Sequence, residues 1–255
     1  DRQITNGSFT FEVIIVEDNS NDKSVELIQK FEWENSDIRR IHFLKNDKNL
    51  GVSASYTMGY RESVGRYIAP LDADDLLTRF SLLFRFRALE ETSGKNWVTG
   101  QQLVMQDNGK FVAGKEFNKR STPHNKMDFL TQHLNGQLYI PASSTMLRKE
   151  LLSKNLWINE MTSSQDFALI VMLGVAGEIP KYIDDYVAIY RYHMEGSTSS
   201  LYQNSIRDGR KIRDFQVLYS RVRDGLTKEQ RILFENWIKK WEETRTEYLA
   251  SQVTN

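Results

Sequence analysis

Three carboxylates lie within four residues at positions 72–75, where the apolar stretch YIAPL ends in DADD. Like charges this close together raise the pKa of at least one acid, so the cluster needs a compensating partner. Hard cations such as Mg²⁺ and Mn²⁺ bind carboxylate oxygens and take water and phosphate oxygens as further ligands. The cluster therefore indicates a divalent cation site, unless Asp74 or Asp75 caps the following helix and the other acids are solvated.

A second acidic cluster, EDNSND at positions 17–22, follows the β-branched and apolar stretch FEVIIV. Such a stretch is typical of a parallel strand that is covered on both faces. Ligands of α/β sheets bind beyond the carboxyl ends of the strands, so we expect Asp18 to lie beside the DADD cluster at one sheet edge. Two strands that end in acids indicate a binding site for a nucleotide diphosphate. One acid would bind the base or ribose, and others would hold a metal on the phosphates.

Phosphate-binding glycine loops are absent, since neither GxxxxGK[ST] nor GxGxxG occurs in the chain. Phosphates would then be neutralised by the metal, which argues against kinases and dehydrogenases.

The elements that must position these acids alternate between strand and helix, which predicts an α/β fold with a mostly parallel central sheet flanked by helices. The expected strands cover 11–16, 40–44 and 66–71, and the expected helices cover 24–31, 52–63 and 78–91. Beyond residue 97 the pattern predicts a hairpin around Asn108-Gly109, a mixed sheet region and a helix over 164–175.

The last part of the chain reads as charged helix from about Leu201 onward. We therefore expect a main domain over 1–200 and a helical extension over 201–255. An apolar stripe in this extension either packs on the main domain or faces a membrane or partner. Its residues, mostly four apart, are Leu233, Trp237, Trp241 and Tyr248.

Composition narrows the class of protein. The 255 residues hold 34 basic and 34 acidic side chains, and this zero net charge argues against a generalised nucleic-acid binder. The absence of cysteine excludes disulfides and thiolate zinc sites. The longest apolar stretch, FALIVMLGVAG at 167–177, is too short to span a bilayer as a helix.

Three stretches together resemble family 2 glycosyltransferases, which have the GT-A fold. They are VIIVEDNSND at 13–22, NLGVSASYTMGY at 49–60 and GRYIAPLDADD at 65–75. Three later stretches resemble further segments of that family, and the resemblance covers about 190 residues in all: ASSTMLRKELL at 142–152, SSQDFALIVML at 163–173 and YRYHMEGSTS at 190–199.

The resemblance implies an inverting transferase that uses Mn²⁺ or Mg²⁺. Such an enzyme moves a sugar from a nucleotide-diphosphate sugar, commonly a UDP-sugar, to an acceptor hydroxyl of a glycan or lipid-linked glycan. It places Asp18 and Asn49 at the nucleotide, Asp72 at the ribose and metal, and Asp74 on the metal. Asp75 is left as a helix cap or a supporting group.

Two further roles follow from the same resemblance. Asp166 would be the general base, although an acid near a helix N-terminus also suits the helix dipole. His193 would ligate the metal or touch the diphosphate, although it could equally be a packed or surface histidine.

The chain departs from the family pattern at three places. Tyr56-Thr57 replaces an arginine-asparagine pair, which removes a positive charge near the nucleotide. Gln165 replaces the glutamate before the expected base. The family's first strand has no counterpart ahead of FEVIIV. We therefore expect the sequence to be a fragment in which the strand FEVIIV keeps an open apolar edge.

Two alternatives stay open beside a transferase of surface polysaccharide or glycan synthesis. A sugar nucleotidyltransferase would release pyrophosphate, and a non-catalytic binding or scaffold protein would have a decayed transferase site. The family's habits predict a cytoplasmic location, which includes the inner face of the membrane. No nucleic-acid partner is expected. The donor sugar, the acceptor and the oligomeric state are not predicted.

Overall fold

The computed structural model describes residues 2–106, 108–113, 125–152, 160–162, 164–191 and 206–253. Its strands are β1 (Phe11–Glu17), β2 (Ile38–Lys45), β3 (Tyr67–Ile68), β4 (Leu76–Leu77), β5 (Trp97–Met105), β6 (Phe111–Ala113), β7 (Thr145–Arg148) and β8 (Lys181–Arg191). Its helices are α1 (Ser24–Lys30), α2 (Val52–Glu62), α3 (Ser81–Glu91), α4 (Lys126–Leu134), α5 (Lys149–Leu152), α6 (Gln165–Val175), α7 (Arg210–Val222) and α8 (Lys228–Val253).

β1 and β2 form a parallel two-stranded sheet in which Val13 lies opposite Ile41. Helix α2 covers one side, with Gly59 against Val16 and Ile14. The prediction that β1 is buried on both faces is wrong, because its residues Phe11 to Val16 are only partly buried. Within the described residues β1 pairs with β2 alone, so its second edge has no strand partner.

The second sheet has six strands in the order β3-β7-β5-β8-β4, with β6 paired to β5. Among its described strands β5 and β8 run parallel, and the other described pairs are antiparallel. The α/β fold with a central sheet flanked by helices is confirmed, but the strand directions are more mixed than the sequence indicated. β1 and β3 lie in different sheets, so the expectation that Asp18 and DADD end neighbouring strands of one sheet is wrong.

The main core lies between the second sheet and helices α4, α6, α7 and α8. Trp97, Phe129 and Leu169 are fully buried there beside Phe215 and Phe234. The apolar stripe of α8 packs against this same core. No helix among the described residues has the length and hydropathy needed to cross a membrane.

Candidate active site

The pairing of β3 with β7 brings two irregular segments together. The strands are antiparallel, with Ile68 opposite Leu147, so the chain leaving β3 lies beside the chain entering β7. The first segment is the acidic stretch 69–75, and the second is a short 3₁₀ turn, Ala142–Ser144.

The acidic stretch is folded as a tight turn, since the amide of Asp75 donates to the carbonyl of Asp72 at 3.0 Å. Asp74 is exposed, Asp72 is partly buried and Asp75 is 6% exposed. The next residues form β4, and α3 begins later with Phe80 at its N-cap and no side-chain capping bond. The helix-cap interpretation of Asp74 and Asp75 is therefore wrong.

Ser143 joins the 3₁₀ turn to this acidic stretch. Its hydroxyl oxygen accepts from the amide of Asp72 at 3.3 Å, and the hydroxyl also bonds the carboxyl of Asp75. Burial, together with the charges of Asp72 and Asp74, raises the pKa of Asp75 to about 6 despite the bond from Ser143. Oδ1 of Asp75 is buried and has no hydrogen-bond partner among the described residues.

Asp166 enters the site from the first turn of α6. Its Oδ2 accepts from the amide of Ala142 at 3.2 Å, while its Oδ1 is buried without a hydrogen-bond partner in the part of the chain that the structure describes. Burial, and then the charge of Asp72, raises the pKa of Asp166 to about 7. A carboxyl that titrates near neutrality and offers an unoccupied oxygen is suited to accept a proton.

Tyr56 is the site residue whose identity most clearly separates this chain from the family pattern. From α2 its hydroxyl donates to Oδ1 of Asp72 at 2.6 Å. Burial, followed by the charges of Asp72 and Asp166, raises the pKa of Tyr56 well above its ordinary value, so the phenol stays a donor. Burial also raises the pKa of Asp72, with Asp74 adding to the effect and the Tyr56 bond opposing it.

Two further residues at this site have no role predicted from the sequence. Arg191 ends β8 and donates through Nε to the carbonyl of Asp74, and its backbone bonds the carboxyl of Asp75. Tyr139 is 59% exposed, yet local burial followed by the charge of Asp166 raises its pKa. Nothing in the local spacing points to the contacts of Arg191, because the tertiary placement of β8 beside the acidic turn creates them.

Asp18 occupies a separate position at the N-terminus of α2. Its Oδ1 accepts from Asn46 Nδ2 at 2.7 Å and from the amide of Leu50 at 2.8 Å, and its Oδ2 accepts from the amide of Gly51 at 2.7 Å. Asn49 donates its side-chain amide to the carbonyl of Asp18 at 3.2 Å. Asp18 and Asn49 are thus brought together, and the hydrogen bonds of Asp18 found in the described part of the chain are with residues 46–51.

The expected metal ligands are placed only in part. Asp72 and Asp74 stand in the same turn, whereas His193 lies outside the described residues. Among the residues that the structure describes, no three acidic or histidine side chains form a group that could hold a metal ion. Burial and the charge of Asp74 raise the pKa of Asp72, so a bound cation would relieve the repulsion between these two carboxylates. Mg²⁺ and Mn²⁺ take few protein ligands besides phosphate and therefore suit this pair.

A central sheet flanked by helices, with acids gathered beyond strand ends, makes this a GT-A-like α/β protein. Solved structures share that fold: TarS of S. aureus, residues 1–349, in complex with UDP-GlcNAc, aligns with a TM-score of 0.61 at 16% identity. The alignment covers 82% of this chain and 57% of that one. The chain belongs to the family described as "Glycosyl transferase family 2", whose model matches residues 3–155.

Curated relatives are also named as glycosyltransferases. An uncharacterized glycosyltransferase of Methanocaldococcus jannaschii is 31% identical over 157 residues, which is 62% of this chain and 52% of the relative. A GalNAc(5)-diNAcBac-PP-undecaprenol beta-1,3-glucosyltransferase of Campylobacter jejuni is 24% identical over 78% of this chain and 61% of its own length. The chain thus spans about half the length of the first of these relatives and less than two thirds of the second.

Proposed function

We propose that this chain carries the catalytic site of an inverting glycosyltransferase. The enzyme would move a sugar from a nucleotide-diphosphate sugar, most simply a UDP-sugar, to an acceptor hydroxyl in the synthesis of a surface polysaccharide or a lipid-linked glycan. Family membership supports the transfer chemistry, and the UDP-GlcNAc bound by TarS supports the donor class. The glucosyltransferase name of the C. jejuni relative supports a polyprenol-linked acceptor.

The observation that carries this proposal is the carboxyl of Asp166. One of its oxygens is held by the Ala142 amide, the other is buried without a partner among the described residues, and its pKa is raised to about 7. In the reaction, Oδ1 accepts the proton of an acceptor hydroxyl as that oxygen attacks the anomeric carbon. Attack from the face opposite the leaving nucleoside diphosphate inverts the configuration, as in single-displacement glycoside chemistry.

The donor would lie across the turn that holds the acidic stretch. Asp72 and Asp74 would hold Mn²⁺ or Mg²⁺, with Asp72 also near the ribose and His193 as a further ligand or diphosphate contact. When bound, the metal supplies positive charge to the diphosphate. Asp18 and Asn49 would contact the nucleoside from the loop before α2.

A donor panel tests the proposal, with the full-length protein, UDP- and other nucleotide sugars, and Mn²⁺ or Mg²⁺. We expect release of nucleoside diphosphate, stimulated by metal. Asp74→Asn should nearly abolish metal-dependent turnover, whereas Asp184→Asn, which changes an exposed acid on β8, should leave it intact. Release of pyrophosphate would instead indicate a nucleotidyltransferase, and calorimetry without metal-dependent UDP binding would indicate a non-catalytic protein.

A further inference from the structure

Arg85 is an unusual residue in the middle of α3, because its side chain is fully buried. Burial lowers its pKa to about 9, and no ion pair to Arg85 is found among the residues that the structure describes. A buried guanidinium without a carboxylate is costly, so its hydrogen bonds must satisfy groups that the fold needs to hold.

Those hydrogen bonds reach from α3 to the 3₁₀ turn. Nε and Nη2 of Arg85 bind the carbonyl and the hydroxyl of Ser81, at 3.2 and 2.7 Å. Nη1 binds the carbonyl of Ser143 at 3.4 Å and also the carbonyl of Thr145. The planar guanidinium presents several fixed N–H donors, of which a lysine can reproduce only a part and an apolar side chain none.

The residues of this turn are the ones that hold the acids. The amide of Ala142 donates to Asp166, and the hydroxyl of Ser143 contacts both the amide of Asp72 and the carboxyl of Asp75. The contacts of Arg85 and the contacts of the acids therefore meet on the same four residues, 142–145.

We propose that Arg85 is a positioning residue for the transfer reaction: by binding the carbonyls of Ser143 and Thr145, it fixes the turn that orients Asp166 and Asp75. This inference rests on the proposed function. It differs from a purely structural role, because a core contact elsewhere would stabilise the fold without setting the geometry of the carboxylates.

Three variants separate these roles in steady-state assays. Arg85→Met removes the donors to the turn, and Ala142→Pro removes only the N–H that reaches Asp166, at a first helical position that tolerates proline. We expect each to lower kcat by up to about 10²-fold, since small misplacements of catalytic groups have effects of that size. The double variant should be no slower than the slower single variant, because both changes act through one turn.

The control is Gln230→Ala, which removes the buried side-chain bonds of α8 to Thr227, Met127 and Thr131. This variant should melt at a lower temperature with kcat unchanged. Arg85→Lys should recover part of the lost kcat, and it takes the place of Arg85→Met if the latter does not fold.

An independent readout is the hydrogen exchange of the Ala142 amide, followed by NMR. We expect Arg85→Met to speed this exchange by about tenfold or more relative to the amides of α8, because the turn is released locally. Unchanged Ala142 exchange together with unchanged kcat would overturn the positioning role. A wild-type enzyme that transfers no sugar would instead overturn the proposed function, while the exchange experiment would still decide whether Arg85 holds the turn.

Discussion

Helix α2 contacts two groups of acids that differ in how fully their carboxylate oxygens are hydrogen-bonded. Gly51, at its N-terminus, donates to Asp18, and Tyr56, five residues further on, donates to Asp72. At a rise of about 1.5 Å per residue the two points are about 7.5 Å apart along the helix. The first carboxylate receives three hydrogen bonds, whereas Asp75 and Asp166 each keep a buried oxygen without a partner in the described residues.

This contrast indicates where stability and chemistry reside. A carboxylate that accepts helix N-terminal amides stabilises the folded state, as the dipole and the unsatisfied N–H groups favour negative charge there. For the other acids, burial and repulsion between neighbouring carboxylates raise the pKa, because both effects destabilise the charged form in the folded state. Acids whose pKa is raised toward neutrality can exchange protons near neutral pH, which is the role proposed for Asp166.

The largest expected effect comes from Asp166→Asn. Asparagine keeps the size of the side chain and can still accept from Ala142, but it cannot take a proton from the acceptor. We expect transfer to fall by about 10²- to 10⁴-fold with the affinity for UDP unchanged, measured by a coupled assay and calorimetry. Asp184→Asn is the matched control, and transfer rates as high as wild type in Asp166→Asn would show that the base is another group.

The pH dependence of kcat gives the next effect. Because the pKa of Asp166 is about 7, the base is protonated below that pH. We therefore expect kcat to fall by about tenfold for each unit by which the pH is lowered below 7. Stability should change in the opposite sense: a raised folded-state pKa means that the unfolding free energy falls as pH rises from about 4 through 7.

Thermal melts test this stability effect. Asp166→Asn should melt at a higher temperature than wild type at pH 8, and the difference should shrink toward pH 4. For the kinetic effect, a kcat that does not change between pH 5 and 8 would contradict the assignment of Asp166 as the base.

Individual strands and helices could be predicted from the sequence better than the pairing of the strands into sheets. The apolar FEVIIV predicts a strand over 11–16, and β1 covers that stretch in the structure. Which sheet each strand joins depends on long-range pairing, so the separation of β1 from β3 could not be read locally. The same limit applies to Asp75: its position ahead of a helical stretch predicts a helix cap, whereas in the structure β4 lies between Asp75 and α3.

Arg85 and Tyr56 show a second limit. Arg85 lies in the helical stretch SLLFRFRALEE, where its charge suggests a solvated face, and only tertiary packing turns it inward. Tyr56 registers in the sequence as the loss of an arginine. In the structure the same position supplies a hydroxyl to Asp72, which a comparison of residue types alone does not reveal.

A smaller effect is expected from Tyr56→Phe. This change deletes the O–H that bonds Asp72 and keeps the ring, so the freed carboxylate loses one fixed oxygen. A hydrogen bond to a charged group contributes about 1.5–3 kcal/mol, and we expect about a tenfold weaker affinity for Mn²⁺ in the presence of UDP. Tyr60→Phe on the same helix should leave the affinity unchanged, and equal effects of the two variants would contradict a specific role for Tyr56.

The smallest effect on turnover is expected from Asp18→Asn. The amide cannot accept every N–H that the carboxylate accepts, so the unfolding free energy should fall by about 1–3 kcal/mol in urea melts. If Asp18 also contacts the nucleoside, UDP should bind about tenfold more weakly, while kcat at saturating donor should stay within about twofold of wild type.

Asn46→Ala separates the two roles of Asp18, because it removes one donor to the carboxylate and leaves the acid in place. It should lower stability without weakening UDP binding. A loss of kcat in Asp18→Asn as large as that in Asp166→Asn would remove the distinction between a satisfied acid that holds the loop and donor, and an unsatisfied acid that carries the proton.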